Sequence, residues 1–236
     1  MILSNDTIII DNIMKPPYDI TNRILSLISS ISEKIGEVRS THLIKPPTEL
    51  RKRNRIKTIQ SSLEIEGNTL TIEQITDLIN NKRVLAPKKD IQEVKNAINV
   101  YSILDDFDTY KLDSLCLAHG VLMKGLLDNA GSLRKTSVGI IKGEDVAHIA
   151  PSGDLVYPLM KDLFKYLKND DDLLLIKSCV FHYEFEFIHP FLDGNGRMGR
   201  LWQTMLLKDY SPVFEFLPIE TLIKERQQDY YHVLGK

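Results

Sequence analysis

The sequence is poor in cysteine and in long apolar runs. Its 236 residues include two cysteines, Cys116 and Cys179, with no Cys-x-x-Cys motif and no histidine at metal-ligand spacing. Two such residues exclude a small fold stabilised by several disulfides. Because both lie in apolar helical patterns, we expect them to be buried, reduced thiols. No apolar run reaches the roughly 18 residues that a membrane-spanning helix needs, so no membrane partner is expected.

Neither sign of charge dominates the chain. The formal net charge is −2 at pH 7, which excludes a strong overall attraction to nucleic acid or to an anionic membrane. The one basic cluster, Arg51–Arg55, is interpreted as a solvated helix face, and nucleic-acid binding is not expected. Residues 1–6 lack the basic start and the uninterrupted apolar stretch of a signal peptide, so we expect a cytoplasmic protein.

Hydrophobic periodicity predicts an all-α fold with one small β-hairpin. Helical spacing of apolar residues covers the segments 20–38, 49–65, 71–79, 90–101, 111–127, 155–167, 173–188 and 198–207 and resumes after Pro218. The segments 173–188 and 198–207 are apolar almost all round, which is typical of buried central helices. The alternating stretch Val138–Ile149, with Lys142–Asp145 at its turn, predicts the hairpin.

Short motifs mark two helix ends and no domain boundary. Thr71–Gln74 has the sequence of a capping box, and Gly67-Asn68 is a helix stop. With no repeat, low-complexity tract or long linker, we expect a single domain. It comprises an N-terminal helical region at 1–90, a core at 91–210 and a C-terminal segment at 211–236, where truncation is left open.

Residues that can do chemistry concentrate between the two most apolar segments. The loop reads His189-Pro-Phe-Leu-Asp-Gly-Asn-Gly-Arg-Met-Gly-Arg200. Gly194 and Gly196 permit a tight turn that brings backbone amides close to a ligand. The loop leads into a helix whose N-terminal amides attract anions. The loop is therefore a candidate anion site.

The charged residues of the loop indicate a polyphosphate and a proton acceptor. Arg197 and Arg200 lie three positions apart, so both can reach one polyphosphate. A nucleoside triphosphate carries more charge than they neutralise, so Mg²⁺ is expected, with Asp193 as its ligand. His189 can accept a proton near neutral pH. P-loop and GxGxxG motifs are absent. Each of these short patterns alone more often has a structural role. The complete string specifies eight positions, which rarely occur together by chance.

The complete string resembles the Fic family signature, His-x-Phe-x-[Asp/Glu]-Gly-Asn-Gly-Arg-x-x-Arg, at every specified position. Gly131–Arg134 and the hairpin after it are similar to the family's flap, and Tyr157–Met160 to the start of the next helix. The resemblance implies a Fic-like helical bundle that transfers AMP from ATP to a Ser, Thr or Tyr hydroxyl of a target protein. In this reading His189 takes the proton from that hydroxyl and Asp193 holds Mg²⁺ against the α- and β-phosphates.

The resemblance also implies roles for the rest of the loop and for the hairpin. Phe191 would anchor the loop in the core. Strand addition would dock the target segment on the hairpin. The anion hole is assigned to Gly194, Asn195 and Gly196, the β- and γ-phosphate contacts to Arg197 and Arg200, and target docking to Val138, Gly139, Ile140 and Ile141.

A second motif lies upstream of the loop. Ser62–Gly67 matches the family's inhibitory motif, [Ser/Thr]-x-x-x-Glu-[Gly/Asn], which implies an inhibitory helix at about 49–66 that contributes Ser62 and Glu66. A carboxylate in the last turn of a helix is disfavoured by a few tenths of a kcal/mol, so Glu66 would gain from a cationic partner. The resemblance names Arg200, which could then not clamp the γ-phosphate. A solvated Glu66, or Glu64 in its place, stays an alternative.

Other functions and residue roles are left open. The same fold could remove AMP from targets, transfer phosphocholine or phosphate, or act as a non-enzymatic nucleotide sensor. The target and a homo-oligomeric state are not readable from the sequence. Tyr230 and Tyr231 are packing residues or modification acceptors. Residues given only a structural reading are His42, His119, His148, His182, His232, Trp202, Met205 and Leu206.

Overall fold

Helices make up nearly all regular structure of the chain. The structure is a computed structural model that describes residues 15–40, 47–142 and 145–235, with the side chains of 139–142 and 145–149 outside the description. Its elements, in chain order, are α1 (Asn22–Ser40), α2 (Thr48–Ile65), α3 (Ile72–Ile79), α4 (Lys88–Ser102), α5 (Leu112–Leu122), β1 (Gly139–Lys142), β2 (Asp145–Ile149), α6 (Gly153–Asn169), α7 (Leu174–Ile188), α8 (Asn195–Tyr210), α9 (Ile219–Glu225) and α10 (Gln227–Val233).

The core lies between α2 and the helices α4 to α8. The helices α7 and α8 pack against each other at its centre. Trp202 of α8 is fully buried and meets the ring of Phe164 edge to face. The predicted core residues Trp202, Met205 and Leu206 are all buried, so this part of the prediction is confirmed, as is the helical character of the fold.

The prediction that α7 is buried on all sides is wrong. Cys179, Tyr183 and Phe187 are exposed. They recur every fourth residue and so share one helix face, and Cys179 and Tyr183 line an apolar cavity together with residues of α1. Both cysteines are free thiols, but Cys179 is exposed and Cys116 is half-buried, so the expectation of two buried thiols is wrong as well. An apolar composition alone does not fix which face of a helix meets the core.

Helix ends follow the short motifs. The capping box at Thr71 is confirmed, because the Thr71 side chain accepts from the Gln74 amide and the Gln74 side chain accepts from the Thr71 amide. Helix α2 ends at Ile65, and the Gly67 amide donates to the Glu64 carbonyl. Helix α8 begins at Asn195, three residues earlier than predicted, because Gly194 at φ +83° serves as its N-cap.

The strands β1 and β2 form an antiparallel pair between α5 and α6. Gly139 pairs with Ile149 and Lys142 with Asp145, and the register shifts between Ile140 and Ile141. The Ala150 amide donates to the Val138 carbonyl and extends the ladder by one pair.

Helix α3 adds the buried Ile75 to the core, whereas among the described residues none of α1, α9 or α10 belongs to it. Helix α1 has no buried residue, although its periodicity was sufficient to predict it. Within the described residues, no helix is both long enough and apolar enough to span a bilayer.

Candidate functional site

His189 lies where α7 ends and the loop begins. Its backbone adopts the left-handed conformation at φ +51°, and its amide donates to the Phe185 carbonyl at 2.9 Å. A non-glycine residue in this region is uncommon and marks a backbone held by its surroundings. The Arg134 guanidinium provides one such contact, because its Nε donates to the His189 carbonyl at 2.7 Å. The side chain is half-buried at the mouth of the loop.

The Asn195 side chain closes the loop from inside. Its Oδ1 accepts from the Phe191 amide at 2.9 Å, and its Nδ2 donates to the Phe191 carbonyl at 2.8 Å. Asn195 is 2% exposed and Phe191 is fully buried. The carboxamide is therefore used to shape the loop, and only the backbone amide of Asn195 remains available to an anion.

Helix α8 presents its N-terminus to the loop. The first intrahelical bond runs from the Met198 amide to the Gly194 carbonyl at 3.0 Å. The amides of Asn195, Gly196 and Arg197 precede that bond, so they are the N-terminal amides that an α-helix leaves without an intrahelical acceptor. Such a terminus favours a phosphate group.

Arg197 is held by two carboxylates. Its Nη1 donates to Glu93 Oε1 at 3.0 Å and its Nη2 donates to Asp193 Oδ1 at 3.2 Å. Glu93 on α4 is buried and also accepts from the Asn68 carboxamide at 2.8 Å. Asn68 comes two residues after Glu66, so Glu93 links the turn after α2 to the first arginine of the loop.

Asp193 retains a carboxylate oxygen that suits a divalent ion. Its Oδ1 accepts from the Gly194 amide at 2.6 Å as well as from Arg197. Within the described residues its Oδ2 accepts no hydrogen bond, and the side chain is 56% exposed. One carboxylate beside a phosphate site, with water to complete the sphere, fits the ligand set that Mg²⁺ uses.

Arg200 is bound by the end of helix α2. Its Nη2 donates to Glu66 Oε1 at 2.7 Å and to the Ser62 carbonyl at 2.9 Å, while its Nε donates to Ser62 Oγ at 3.2 Å. Burial alone would lower the pKa of this guanidinium, but the Glu66 carboxylate raises it above its usual value. Both residues that the inhibitory motif singles out therefore contact the last arginine of the loop.

Gly196 permits the Glu66 carboxylate to come this close. A Cβ at this position would collide with Glu66 Oε1 and approach Arg200 Nη1 at 3.1 Å. Glu66 therefore lies over the first turn of α8, beside the amides that would receive a phosphate. Glu64 points elsewhere and accepts from Lys224 Nζ at 2.5 Å.

His119 is a residue of the site that sequence reasoning missed. Its ring stacks on Phe191 at a centroid distance of 3.7 Å. The Gly131 amide donates to Nδ1 at 2.8 Å, so Nδ1 carries a lone pair and Nε2–H donates to the Asp193 carbonyl at 3.0 Å. Burial lowers the pKa of His119 to about 4, which keeps the imidazole neutral. Nothing in the sequence around His119 marks it, because its partners lie far along the chain.

The other histidines and tyrosines named from the sequence make side-chain contacts within the helical bundle or lie outside the described residues. His182 is buried, with its Nε2 2.8 Å from the Tyr230 hydroxyl, and that hydroxyl also interacts with the Arg200 guanidinium. Tyr231 donates its hydroxyl to the Ile65 carbonyl at 3.5 Å. His42 and the His148 side chain lie outside the described residues, as do the side chains of the hairpin residues 139–141.

Comparison with known proteins assigns the fold and the loop to one family. The sequence model of the Fic/DOC family matches residues 109–207. A crystal structure of a Fic family protein from Desulfovibrio desulfuricans G20 is 50% identical, superimposes with a TM-score of 0.87, and covers 94% of this chain and 68% of that one. This chain belongs to the Fic family.

Two curated relatives carry a functional name. The protein adenylyltransferase fic-1 of Caenorhabditis elegans is 28% identical over 226 residues, or 84% of this chain. The protein adenylyltransferase Fic of Drosophila melanogaster is 30% identical over 192 residues, or 75% of this chain. This chain spans 42% and 36% of the length of these two relatives, respectively, so the named activity is that of longer proteins.

Proposed function

We propose that this protein is an autoinhibited protein adenylyltransferase. It would transfer AMP from ATP to a Ser, Thr or Tyr hydroxyl of a target protein. The observation that carries the proposal is the contact of Glu66 with Arg200 at the N-terminal end of α8, where a polyphosphate would bind. The names of the relatives supply the class of reaction.

The chemical step needs a proton acceptor beside the α-phosphate. The hydroxyl oxygen of the target attacks the α-phosphorus, the bond from that phosphorus to the β-phosphate oxygen breaks, and pyrophosphate leaves. His189 takes the hydroxyl proton, which an imidazole can do near neutral pH. The fixed backbone of His189, held at the end of α7, supports this assignment because a general base must keep its position relative to the reacting atoms.

Binding of the nucleotide falls to the loop and to α8. The amides of Asn195, Gly196 and Arg197 favour the phosphates at the helix N-terminus, and Arg200 supplies a guanidinium for the γ-phosphate. Asp193 would hold Mg²⁺, which neutralises phosphate charge and orients the polyphosphate. Arg197 is already paired with Glu93, so it reaches a phosphate only as part of that pair.

Inhibition follows from the competition of two anions for one guanidinium. Arg200 is 2% exposed and already donates to Glu66 and Ser62. As long as Glu66 occupies Nη2, the γ-phosphate cannot. ATP would then bind with its α-phosphorus out of line for attack, and movement of Glu66 would restore the productive geometry.

Transfer of labelled AMP tests the proposal. The unmodified protein, Glu66→Gly and Glu66→Gly/His189→Ala are incubated with ATP labelled at the α-phosphate, Mg²⁺ and cell lysate. We expect weak labelling of protein by the unmodified chain, strong labelling by Glu66→Gly, and none by the double variant. Equal labelling by the unmodified protein and a folded Glu66→Gly would contradict the inhibitory role. Absence of labelling by every variant would contradict the transferase activity.

Removal of AMP is the second candidate. The Glu66 carboxylate keeps 33% of its side-chain surface exposed beside Gly196, so it could orient a water molecule there. Incubation of an AMP-labelled protein with the unmodified chain and Mg²⁺ would then release AMP, and Glu66→Gly would abolish that release. A release that is unchanged in Glu66→Gly would contradict this reading.

A further inference from the structure

One buried arginine ties the hairpin to the backbone of His189. Arg134 is 2% exposed. Its Nε donates to the His189 carbonyl and its Nη1 to the Thr136 carbonyl, each at 2.7 Å. Its Nη2 donates to the carbonyls of Pro151 at 2.7 Å and Ile188 at 2.9 Å. Four main-chain carbonyls thus share one planar guanidinium.

These carbonyls belong to two separate parts of the site. Thr136 and Pro151 flank the hairpin on either side, whereas Ile188 and His189 form the end of α7. The Arg134 amide adds a fifth bond, to the Pro190 carbonyl at 2.9 Å. Because the guanidinium is rigid and its donors have a fixed geometry, it sets the distance between the base of the hairpin and the loop.

The positive charge of Arg134 is stabilised by main-chain carbonyls and not by an acidic side chain. Among the described residues, no carboxylate forms an ion pair with it. The carbonyls at the C-terminal end of α7 carry the negative end of the helix dipole, so they stabilise a cation there. The partners of the guanidinium are therefore main-chain carbonyls and not a carboxylate, which is what a cation that holds two main-chain segments together requires.

A second contact fixes the base of the hairpin. Gly153, the first residue of α6, packs directly on the main chain before β1, where a Cβ would collide with the Lys135 carbonyl group. The chain entering the hairpin is therefore held between α6 and Arg134.

We infer that Arg134 is a positioning residue that fixes the hairpin, and with it a docked target hydroxyl, relative to His189. This inference rests on the proposed function. Arg134 makes no hydrogen bond to residues 193–200 in the structure, so its loss should leave nucleotide binding intact. It should instead slow the transfer step, because a displacement of about 1 Å between reacting groups can lower a rate by about 100-fold.

The test compares substitutions at Arg134 with a matched buried cation elsewhere. Lys177 is 9% exposed and donates Nζ to the carbonyls of Leu167 and Asp170, both at 2.9 Å, at the end of α6. It has the same kind of partners but lies away from the loop. Arg134→Gln, Arg134→Lys and Lys177→Gln are each made in the Glu66→Gly background.

Two measurements separate positioning from folding. Calorimetry with ATP and Mg²⁺ should give the same Kd for all variants, within about two-fold. Transfer of labelled AMP to lysate protein should fall by about 100-fold in Arg134→Gln, by less in Arg134→Lys, which keeps the charge but not the fork, and not at all in Lys177→Gln. Unchanged transfer in Arg134→Gln, or an equal loss in Lys177→Gln, would overturn the inference.

A third measurement does not depend on activity. Amide hydrogen exchange of the otherwise unmodified protein should accelerate in residues 138–150 by about ten-fold or more in Arg134→Gln, and not in Lys177→Gln. Unchanged exchange there would overturn the inference even if no transfer were detected. If Glu66→Gly itself labels no protein, the proposed function fails, while the exchange result still decides the role of Arg134.

Discussion

At the scale of single residues, buried polar side chains hold the loop through its main chain. His119 and Asn195 both bind backbone groups of residues 191–193. Such bonds matter most where the groups are buried, because a buried donor or acceptor without its partner costs about 1–3 kcal/mol. The shape of the loop therefore depends on residues that would not touch a substrate.

The neutral state of His119 makes stability depend on pH. Its folded pKa of about 4 lies below the usual 6.5, so the unfolded chain binds more protons between these values. The contribution of His119 to the free energy of unfolding is therefore fully present above about pH 6.5. It decreases as the pH falls toward 4, by about 3 kcal/mol in total. In His119→Gln this contribution should vanish. Denaturant unfolding between pH 4 and 8 measures it, and parallel profiles for both proteins would contradict the account.

Removal of the Asn195 side chain should weaken both the fold and nucleotide binding. Asn195→Ala leaves the buried amide and carbonyl of Phe191 without partners, so we expect a loss of about 1–3 kcal/mol in unfolding free energy and a higher Kd for ATP. Asn99, which is exposed on α4, supplies the control, since surface substitutions usually stay within about 0.5 kcal/mol. Equal stability of Asn195→Ala and Asn99→Ala would speak against the role.

The sequence motifs predicted some contacts of the site residues and not others. Glu66 was preferred to Glu64 through the register of the motif, and Glu64 binds Lys224 instead of Arg200. Cys179 was misplaced because an apolar helix was assumed to be buried all round. His119 and Glu93 could not be assigned, because no local pattern marks them. Arg134 lies in the segment that is similar to the family's flap, but its bonds to Ile188 and His189 could not be predicted, because these residues are more than fifty positions away.

At the scale of elements, α9 and α10 hold the end of α2 in place. The Ser61 and Thr221 hydroxyls lie 3.1 Å apart, and Lys224 donates to Glu64 at 2.5 Å. Gln227 of α10 donates to the Ile65 carbonyl at 3.2 Å. A helix leaves its last carbonyls without intrahelical partners, so α10 satisfies one of them directly beside Glu66.

Loosening of this contact should release part of the proposed inhibition. Lys224→Met removes an ion pair that is about one-third exposed on each side, worth roughly 0.2–1 kcal/mol. We therefore expect AMP transfer to rise by up to about five-fold, and exchange of the α2 amides near Ile65 to accelerate. Lys82→Met, which breaks an exposed pair with Asp77, should change neither. A Lys224→Met protein that matches the parent in both measurements would contradict this role of α9.

The elements themselves were more predictable than their contacts. Hydrophobic periodicity and the capping box at Thr71 sufficed for most helices, because they depend on neighbours in sequence. The start of α8 was missed by three residues, because the left-handed N-cap at Gly194 lets the helix begin inside the loop. Helix α1 was predicted by the same periodicity, yet none of its residues is buried, which periodicity does not determine.

At the scale of the whole molecule, the fold brings together residues from five helices or their ends. Glu66 follows α2, Glu93 lies on α4, His119 on α5, His189 ends α7 and Arg200 lies on α8. Glu66 and Arg200 are 134 positions apart. No periodicity or spacing predicts such a contact. The resemblance to the Fic family did predict it, because the two family motifs are known to meet in the family's fold.

The affinity for ATP relative to ADP tests the central claim, that Glu66 occupies the guanidinium meant for the γ-phosphate. Calorimetry with Mg²⁺ is performed on the unmodified protein, Glu66→Gly and the control Glu49→Gly, which alters an exposed residue in the first turn of α2. We expect the first and last to bind ATP and ADP about equally. In Glu66→Gly, ATP should gain about ten-fold or more over ADP, since a charged hydrogen bond contributes about 1.5–3 kcal/mol. The same ATP-to-ADP ratio in all three proteins would contradict the claim.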